Sequence, residues 1–282
     1  MSRLPLGWAT DLAVARLKGA EVAEFSDHLL VRTPDNPEYH WGNFVLVTDA
    51  SAVDDTERWL GVFETAFPRA RHRSVGLPAA ADPARWAAVG LDLETEDVLA
   101  SDRVPQSRPL DSAYDVRPLG TPEDWAAQIE NDARENTRTG EYDTDLHRRF
   151  LVGRSRARQG VVAAGQGTWF GAFAGDRLVA DLGIVLCGDG VARYQDVGTD
   201  VAHRRRGLAG HLLGVAARWA QQRGARRWVI ITEADNPAGR VYRSVGFAPV
   251  ESGVQAYRPP TRVSESEPPG SASSESRDNE AL

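Results

Sequence analysis

Apolar and polar residues alternate along this chain in short blocks whose period switches between two and about 3.6, and the most informative block spans residues 192–247. Residues 192–201 predict a strand. The chain then turns through Arg204-Arg205-Arg206-Gly207-Leu208-Ala209 into a helix on which Leu208, Leu212, Val215, Ala216 and Trp219 recur at helical spacing. Residues 228–232 predict a second strand, followed by Asn236-Pro237, a short helix carrying Tyr242, and Gly246-Phe247. A strand that enters a helix through arginines and a glycine is a place to hold phosphate. The first N–H groups of the helix point outward with partial positive charge, and the arginines add full charges.

Upstream, the pattern predicts a helix over 12–23 and strands over 27–33 and 41–47. A helix over 56–67 places Trp59, Leu60, Phe63 and Phe67 on one side. A strand over 71–77 leads to a helix with Asp82 as cap, Pro83 at its first position and Gly90 at its end, and then to an extended run over 91–99. Residues 116–119 read as a short strand. Thr121-Pro122-Glu123-Asp124 reads as a helix start, with Asp124 able to reach back. The charged region 125–159 predicts two helices with a loop near Gly140. A hairpin over 168–173 and 178–187 turns at Ala174-Gly175-Asp176.

Composition refines this picture in a few places. Residues 102–111 hold Pro105 and Pro109 and few large apolar side chains, so they read as a linker. From Pro259 onward the chain is Pro, Ser, Glu and Gly, cannot bury a core, and is expected to be disordered. The expected partition is 1–101, a linker at 102–112, a second domain at 113–258 and a tail at 259–282. The net charge of −7 argues against general attraction to nucleic acid or an anionic membrane, so the arginine cluster is a local feature. No apolar run is long enough to span a bilayer, and the first residues lack the apolar segment of a secretory signal. Cys187 is the only cysteine, which excludes an internal disulfide and a cysteine zinc cluster and makes a buried thiol the simplest reading. A cytoplasmic protein without metal is the expectation.

The two halves also share a layout. Residues 224–246 read strand, Asn-Pro, helix, glycine, and residues 68–90 read strand, Asp-Pro, helix, glycine, over the same length. Trp86 falls where Tyr242 falls. Carried upstream without gaps, this register sets residues 204–209 opposite 48–53, which hold neither arginine nor glycine and lie close to Asp49, Asp54 and Asp55. Carboxylates repel phosphate, so the first half reads as a copy that has lost the anion site.

Arg204-x-x-Gly207-x-Ala209, after a strand and before a helix, resembles the coenzyme A signature of the GNAT acyltransferase superfamily. Asn236-Pro237-Ala238 with Val241-Tyr242-Arg243-Ser244-Val245-Gly246-Phe247 is similar to that family's downstream block. The arch lacks the lysine and hydroxyl of a P-loop and the pattern of a dinucleotide fingerprint. The resemblance covers about 114–257. It implies an α/β (α+β) GNAT fold: a mixed, mostly antiparallel sheet, splayed between two parallel strands and flanked by helices, in a tandem arrangement with a degenerate first copy.

The resemblance implies acetyl-CoA as cosubstrate and direct attack by a primary amine. Backbone groups of Arg204, Arg205, Arg206, Gly207, Leu208, Ala209 and Gly210 would hold the pyrophosphate. Val197, Gly198 and Thr199 would face the pantetheine and thioester, and Asn236 could reach pantetheine or simply cap its helix. Tyr242 would protonate the leaving thiolate, and Asp196 or Glu233 would be the base. Glu130, Asp132, Glu135, Glu141, Asp143 and Asp145 crowd the region that forms the acceptor wall in the family, although interspersed arginines make most of them a solvated face. His40-Trp41 could line a site between the halves, or Trp41 could pack in a core. The acceptor, whether small molecule or peptide, and the state, monomer or homodimer, stay open. A non-catalytic CoA-binding sensor is the competing reading, and a nucleic-acid binder built on Arg204–Arg206 is a remote third.

Overall fold

Each half of the chain builds strand, helix, strand, helix, and the two halves share one sheet. The computed structural model describes residues 4–107, 109–140 and 142–260. The expected tail therefore lies outside the described residues except for Pro259 and Pro260, and so does Glu141. The first half runs α1 (Leu6–Leu17), β1 (Glu21–Glu24), β2 (His28–Arg32), β3 (Phe44–Val47), α2 (Thr56–Ala66), β4 (Arg73–Leu77), α3 (Pro83–Ala88) and β5 (Asp92–Ser101). The second runs β6 (Asp115–Pro118), α4 (Pro122–Thr139), α5 (Thr144–Ala163), β7 (Gly167–Ala174), β8 (Arg177–Gly188), β9 (Val191–Thr199), α6 (Leu208–Gln221), β10 (Arg227–Glu233), α7 (Ala238–Ser244) and β11 (Ala248–Arg258). None of the described helices is long and apolar enough to cross a membrane.

Local chemistry sets most boundaries. Thr121 and Asp124 form a reciprocal capping box at α4, Asp124 accepting from the Thr121 N–H and Thr121 from the Asp124 N–H. Asp82 caps α3 through the Ala84 N–H, with Pro83 following. Asp143 caps α5 through the Leu146 N–H.

Two expected elements fall elsewhere. The helix over 12–23 is instead α1, starting after Pro5 and stopping before Gly19 at φ +89°, and residues 21–24 are the edge strand β1. Ala20, Val22 and Ala23 suit either structure, and pairing with β2 decides for the strand. The strand over 41–47 begins only at Phe44. His40–Gly42 form a 3-10 turn, and Trp41 is 40% exposed rather than packed in a core.

The sheet has eleven strands in the order β1-β2-β3-β4-β11-β5-β10-β9-β8-β7-β6. Pairing is antiparallel except at β3–β4 and β9–β10, the corresponding pairs of the two halves. The last strands change places. β5 of the first half inserts between β10 and β11, and β11 of the second half inserts between β4 and β5. Neither half completes its sheet alone. The connection from β5 to β6 crosses α6 so closely that a Cβ at Gly214 would meet Ser107 at 2.4 Å.

The repeat holds in detail. Trp86 and Tyr242 are both buried, and Gly90 and Gly246 both take positive φ. The register of the arch needs a shift, however. β3 and β9 end, and α2 and α6 begin, at positions that pair residues 204–209 with 52–57 rather than 48–53. The first-half counterpart is therefore Ala52-Val53-Asp54-Asp55-Thr56-Glu57, still more acidic than the ungapped alignment implied. The shorter helix α2 absorbs most of the difference. There Asp54 accepts from the Asp82 N–H at 2.8 Å, and the Trp59 indole donates to the Ala52 carbonyl at 2.6 Å, so local bonds close the loop.

Strand exchange also lines up carboxylates. Glu96 of β5 lies directly opposite Glu233 of β10. Burial first, then the charge of Asp11, pushes the Glu96 carboxyl from the usual 4.5 up to about 7. Between those values the folded chain holds a proton that the unfolded chain releases, so this group's contribution to stability falls as pH rises from about 4.5 through 7. The expected outcome is that Glu96→Gln gains stability relative to wild type between pH 5 and pH 8, by on the order of 2 kcal/mol. Denaturant melts at the two pH values check it, and a pH-independent difference would contradict it.

Candidate active site

β9 and β10 are hydrogen-bonded neighbours only at their starts, where Arg227, Trp228 and Val229 pair with Val191, Ala192 and Arg193. Beyond these residues no pairing continues, and Tyr194 to Thr199 diverge from Ile230 to Glu233. These stretches are not paired with each other, which leaves an opening between the two strands. Packing holds them there. The Tyr194 hydroxyl donates to the Leu213 carbonyl at 2.6 Å and anchors β9 to α6, while β10 pairs with β5 along Trp228 to Glu233.

The divergence coincides with a bulge. Gln195 pairs with Gly183 and Gly198 with Asp181, so Asp196 and Val197 together oppose Leu182. Asp196 takes φ +51°, a conformation that is strained for a residue with a Cβ. A side-chain network compensates. Arg158 of α5 pairs with Asp196 at 2.6 Å, Arg154 approaches it at 3.9 Å, and Arg158 also donates to Gln128 of α4 at 2.7 Å. Gln128 in turn donates to buried Asp181 on β8 at 2.5 Å. Burial alone would raise the Asp196 carboxyl, but Arg158, Lys18 and Arg154 outweigh it and hold the group well below the usual carboxylate range. A carboxylate held in that way is a weak base. Asp181 is displaced in the opposite direction, pushed up by burial and then by Asp132.

The arch follows. Arg204 is extended, Arg205 takes φ +66°, and Gly207 takes φ +81° as the N-cap of α6. That Gly207 conformation is open to glycine and strained for other residues. No side-chain hydrogen bond caps α6, and the first N–H groups of a helix have no partner within the helix itself. Arg204, Arg205, Arg206 and Gly207 are exposed, Leu208 is buried in the core, and Ala209 and Gly210 lie partly covered. Arg204 reaches back to the Thr199 carbonyl at 3.2 Å and lies 3.8 Å from Glu135.

Tyr242 projects from α7 into the same core cluster as Leu208, Leu212 and Tyr194. It is 5% exposed, and burial pushes its hydroxyl up to about 12, so it stays protonated. Asn236 accepts from the Ala238 N–H at 2.9 Å, which is the local capping role. Its amide lies 3.4 Å from Glu233, which is exposed at the end of β10.

On the α5 side of the opening lies a cavity of about 650 Å³, with Asp196 in its wall. The first half contributes Glu38, Tyr39, His40, Trp41 and Arg71. The turn between α4 and α5 and the following helix contribute Tyr142, Asp143, Leu146, His147, Phe150 and Arg154. The loop carrying Tyr39 to Trp41 is tied down by Asn43, which accepts from the Thr33 N–H and donates to the carbonyls of Asn36 and Tyr39. It docks on α5 where a Cβ at Gly153 would meet Asn36 at 2.8 Å.

Among the described residues of the acidic set marked in this region, Asp143 alone lines the cavity. Asp132 pairs with Arg154, Glu130 with Arg148 and Glu135 with Arg138, and Asp145 is exposed in the first turn of α5. Sequence reasoning marked His40 and Trp41 but missed Tyr39, Tyr142, His147 and Phe150. The spacing of His147, Phe150 and Arg154 along one side of α5 was the available signal, hidden among charges.

A sequence model of the acetyltransferase (GNAT) family matches residues 127–247. No curated protein sequence matches the chain. Among solved structures, a functionally unknown conserved protein from Staphylococcus epidermidis is similar at a TM-score of 0.61 and 12% identity, over 85% of this chain and 94% of its own. A GCN5-related N-acetyltransferase from Kribbella flavida is similar at 0.60 and 18% identity, over 92% and 98%. A tandem GNAT protein from the clavulanic acid biosynthesis pathway is similar at 0.51 and 14% identity, over 89% and 93%. These identities speak for the fold, and the family match speaks for the segment that carries the arch, the bulge and Tyr242: residues 127–247 form an acetyltransferase domain of the GNAT family.

Proposed function

We propose that this chain transfers an acetyl group from acetyl-CoA to a primary amine, with the second half as the catalytic unit and the first half unable to bind the cosubstrate. The observation that carries this reading is the opening between β9 and β10, with an uncapped helix start at one end and a bulge in its wall. The opening is flanked by backbone donors and acceptors that the two strands do not pair with each other, which suit the amide-bearing pantetheine arm. The N–H groups from Arg205 to Gly210 suit a pyrophosphate, and the exposed arginines add charge. Acetyl-CoA supplies an activated acyl group on a thiol leaving group.

The residues then divide the work. The bulge at Asp196 and Val197 interrupts the ladder beside the opening, where the N–H of Val197, Gly198 or Thr199 would donate to the thioester oxygen as negative charge gathers on it. The amine nitrogen forms its bond to the carbonyl carbon while the carbon–sulfur bond breaks. Tyr242, protonated over the neutral range, would give its proton to the departing sulfur. The proton leaving the amine would pass to Glu233, directly or through water, with Glu96 beside it across the strand pair. Asp196, held ionised by its arginines, is better suited to attract an ammonium group than to remove its proton.

Two outcomes test the reading. Tyr242→Phe is expected to lower kcat at least about tenfold with little change in acetyl-CoA affinity, measured by thiol release and by calorimetry. Unchanged turnover on an accepted amine would remove Tyr242 from the mechanism. Calorimetric titration of wild type with acetyl-CoA is expected to give one site per chain. Gly207→Val, which forces a β-branched residue into positive φ at the arch, is expected to weaken that binding at least about tenfold. Two equivalent sites per chain would contradict the loss of the anion site from the first half.

A further inference from the structure

The cavity beside the β9 bulge is lined by rings in contact with one another. Tyr39 and Phe150 have centroids 5.6 Å apart, Phe150 and His147 5.7 Å, and His147 stacks on Tyr142 at 5.3 Å. Tyr142 meets His40 edge to face at 6.4 Å, and Tyr257 links His40 to Trp41, stacking on the latter at 4.7 Å. This belt comes from both halves of the chain. Its volume of about 650 Å³ falls in the range of small-molecule sites, roughly 300–1,000 Å³.

The lining carries three carboxylates, Glu38, Asp143 and Asp196, against two arginines, Arg71 and Arg154; Arg154 pairs with Asp132, and Asp196 with Arg158. Burial, then His72 and Arg71, lower His40 to about 4, so it is neutral and does not repel a cation. Ring faces attract cations and stack on flat groups. A thin alkyl chain, such as a lysine side chain or a polyamine, would leave most of these faces uncovered.

We infer that the cavity takes a primary amine carried on a flat aromatic body, with the ammonium directed toward Asp196 and the rings seated among Tyr39, Trp41, Tyr142 and Phe150. This rests on the acetyl-transfer reading above and gives it an acceptor class. It also gives the first half a function: that half has no anion site, yet it supplies one wall of the acceptor pocket.

The experiment compares tryptamine, 2-phenylethylamine, spermidine and a lysine-containing peptide as acceptors, by thiol release from acetyl-CoA with the full chain. The expected result is kcat/KM at least about tenfold higher for the two aromatic amines. Trp41→Ala and Tyr142→Leu are expected to raise KM for tryptamine about tenfold while leaving KM for acetyl-CoA within about twofold. Preference for spermidine or the peptide, or an unchanged tryptamine KM in both variants, would overturn the acceptor class and leave acetyl transfer standing. Calorimetry with 2-phenylethylamine separates the remaining case. Binding that weakens in Trp41→Ala without turnover of any amine would uphold the ligand class and overturn the transfer reading, whereas no binding and no turnover would overturn the ligand class.

Discussion

The ion pair between Arg158 on α5 and Asp196 on β9 holds together the features on which the site depends: the bulge, the divergence of β9 from β10, and the position of α5 over the opening. Asp196 sits at positive φ, which costs on the order of 1–3 kcal/mol for a residue with a Cβ. Arg158 is almost fully buried, and desolvating such a charge costs several kcal/mol unless partners surround it. Each group is tolerable because of the other. The network continues through Gln128 to Asp181, so α4, α5, β8 and β9 are joined through polar contacts with strict geometry. Apolar packing alone would allow these elements to slide. Charge-assisted bonds in a poorly solvated setting do not, and this fits a site whose donors must stay aimed.

The same economy appears in the relation of the halves. Both use a parallel strand pair, a helix and a short capped helix, and both bury an aromatic residue at the end of the unit, Trp86 in one and Tyr242 in the other. Around the shared layout the chemistry has diverged. The second half presents glycine and arginines at its helix start, and the first presents Asp54, Asp55 and Glu57. The exchange of β5 and β11 makes the halves inseparable, since each completes its sheet with the other's strand. It also brings Glu94 and Glu96 of the first half alongside Glu233 of the second, and burial together with neighbouring charge raises the pKa of both first-half groups. The first half thereby shapes the electrostatics beside β10 and one wall of the cavity beside β9.

Much of this was legible because it is local. The capping box at Thr121 and Asp124, the Asp82-Pro83 helix start and the glycines at 90, 140 and 246 announce element ends within a few residues of sequence. The Arg204–Ala209 arch is legible for the same reason: backbone conformation and charge at a helix start are set by adjacent residues. Misreadings arose where the local signal was balanced. Residues 20–23 fit a helix or a strand equally well, and only pairing with β2 settles them. Trp41 looks like a strand residue until Asn43 and the Thr33 hydroxyl close the loop into a 3-10 turn. The register of the repeat slipped by four residues at the arch mainly because the helices differ in length, which an ungapped comparison cannot register.

The sequence by itself determined the alternation of strands and helices, the duplicated layout, and the arginines and glycine at one helix start. Each of these depends on spacing or on residues close in the chain. Tertiary structure alone decided the exchange of β5 and β11, the pairing of Arg158 with Asp196, the displacement of Glu96 to about 7, and the aromatic cavity. Those features join residues far apart in sequence, such as Tyr39 with Phe150 and Trp41 with Tyr257. Their chemistry depends on burial and proximity, which a linear pattern does not carry.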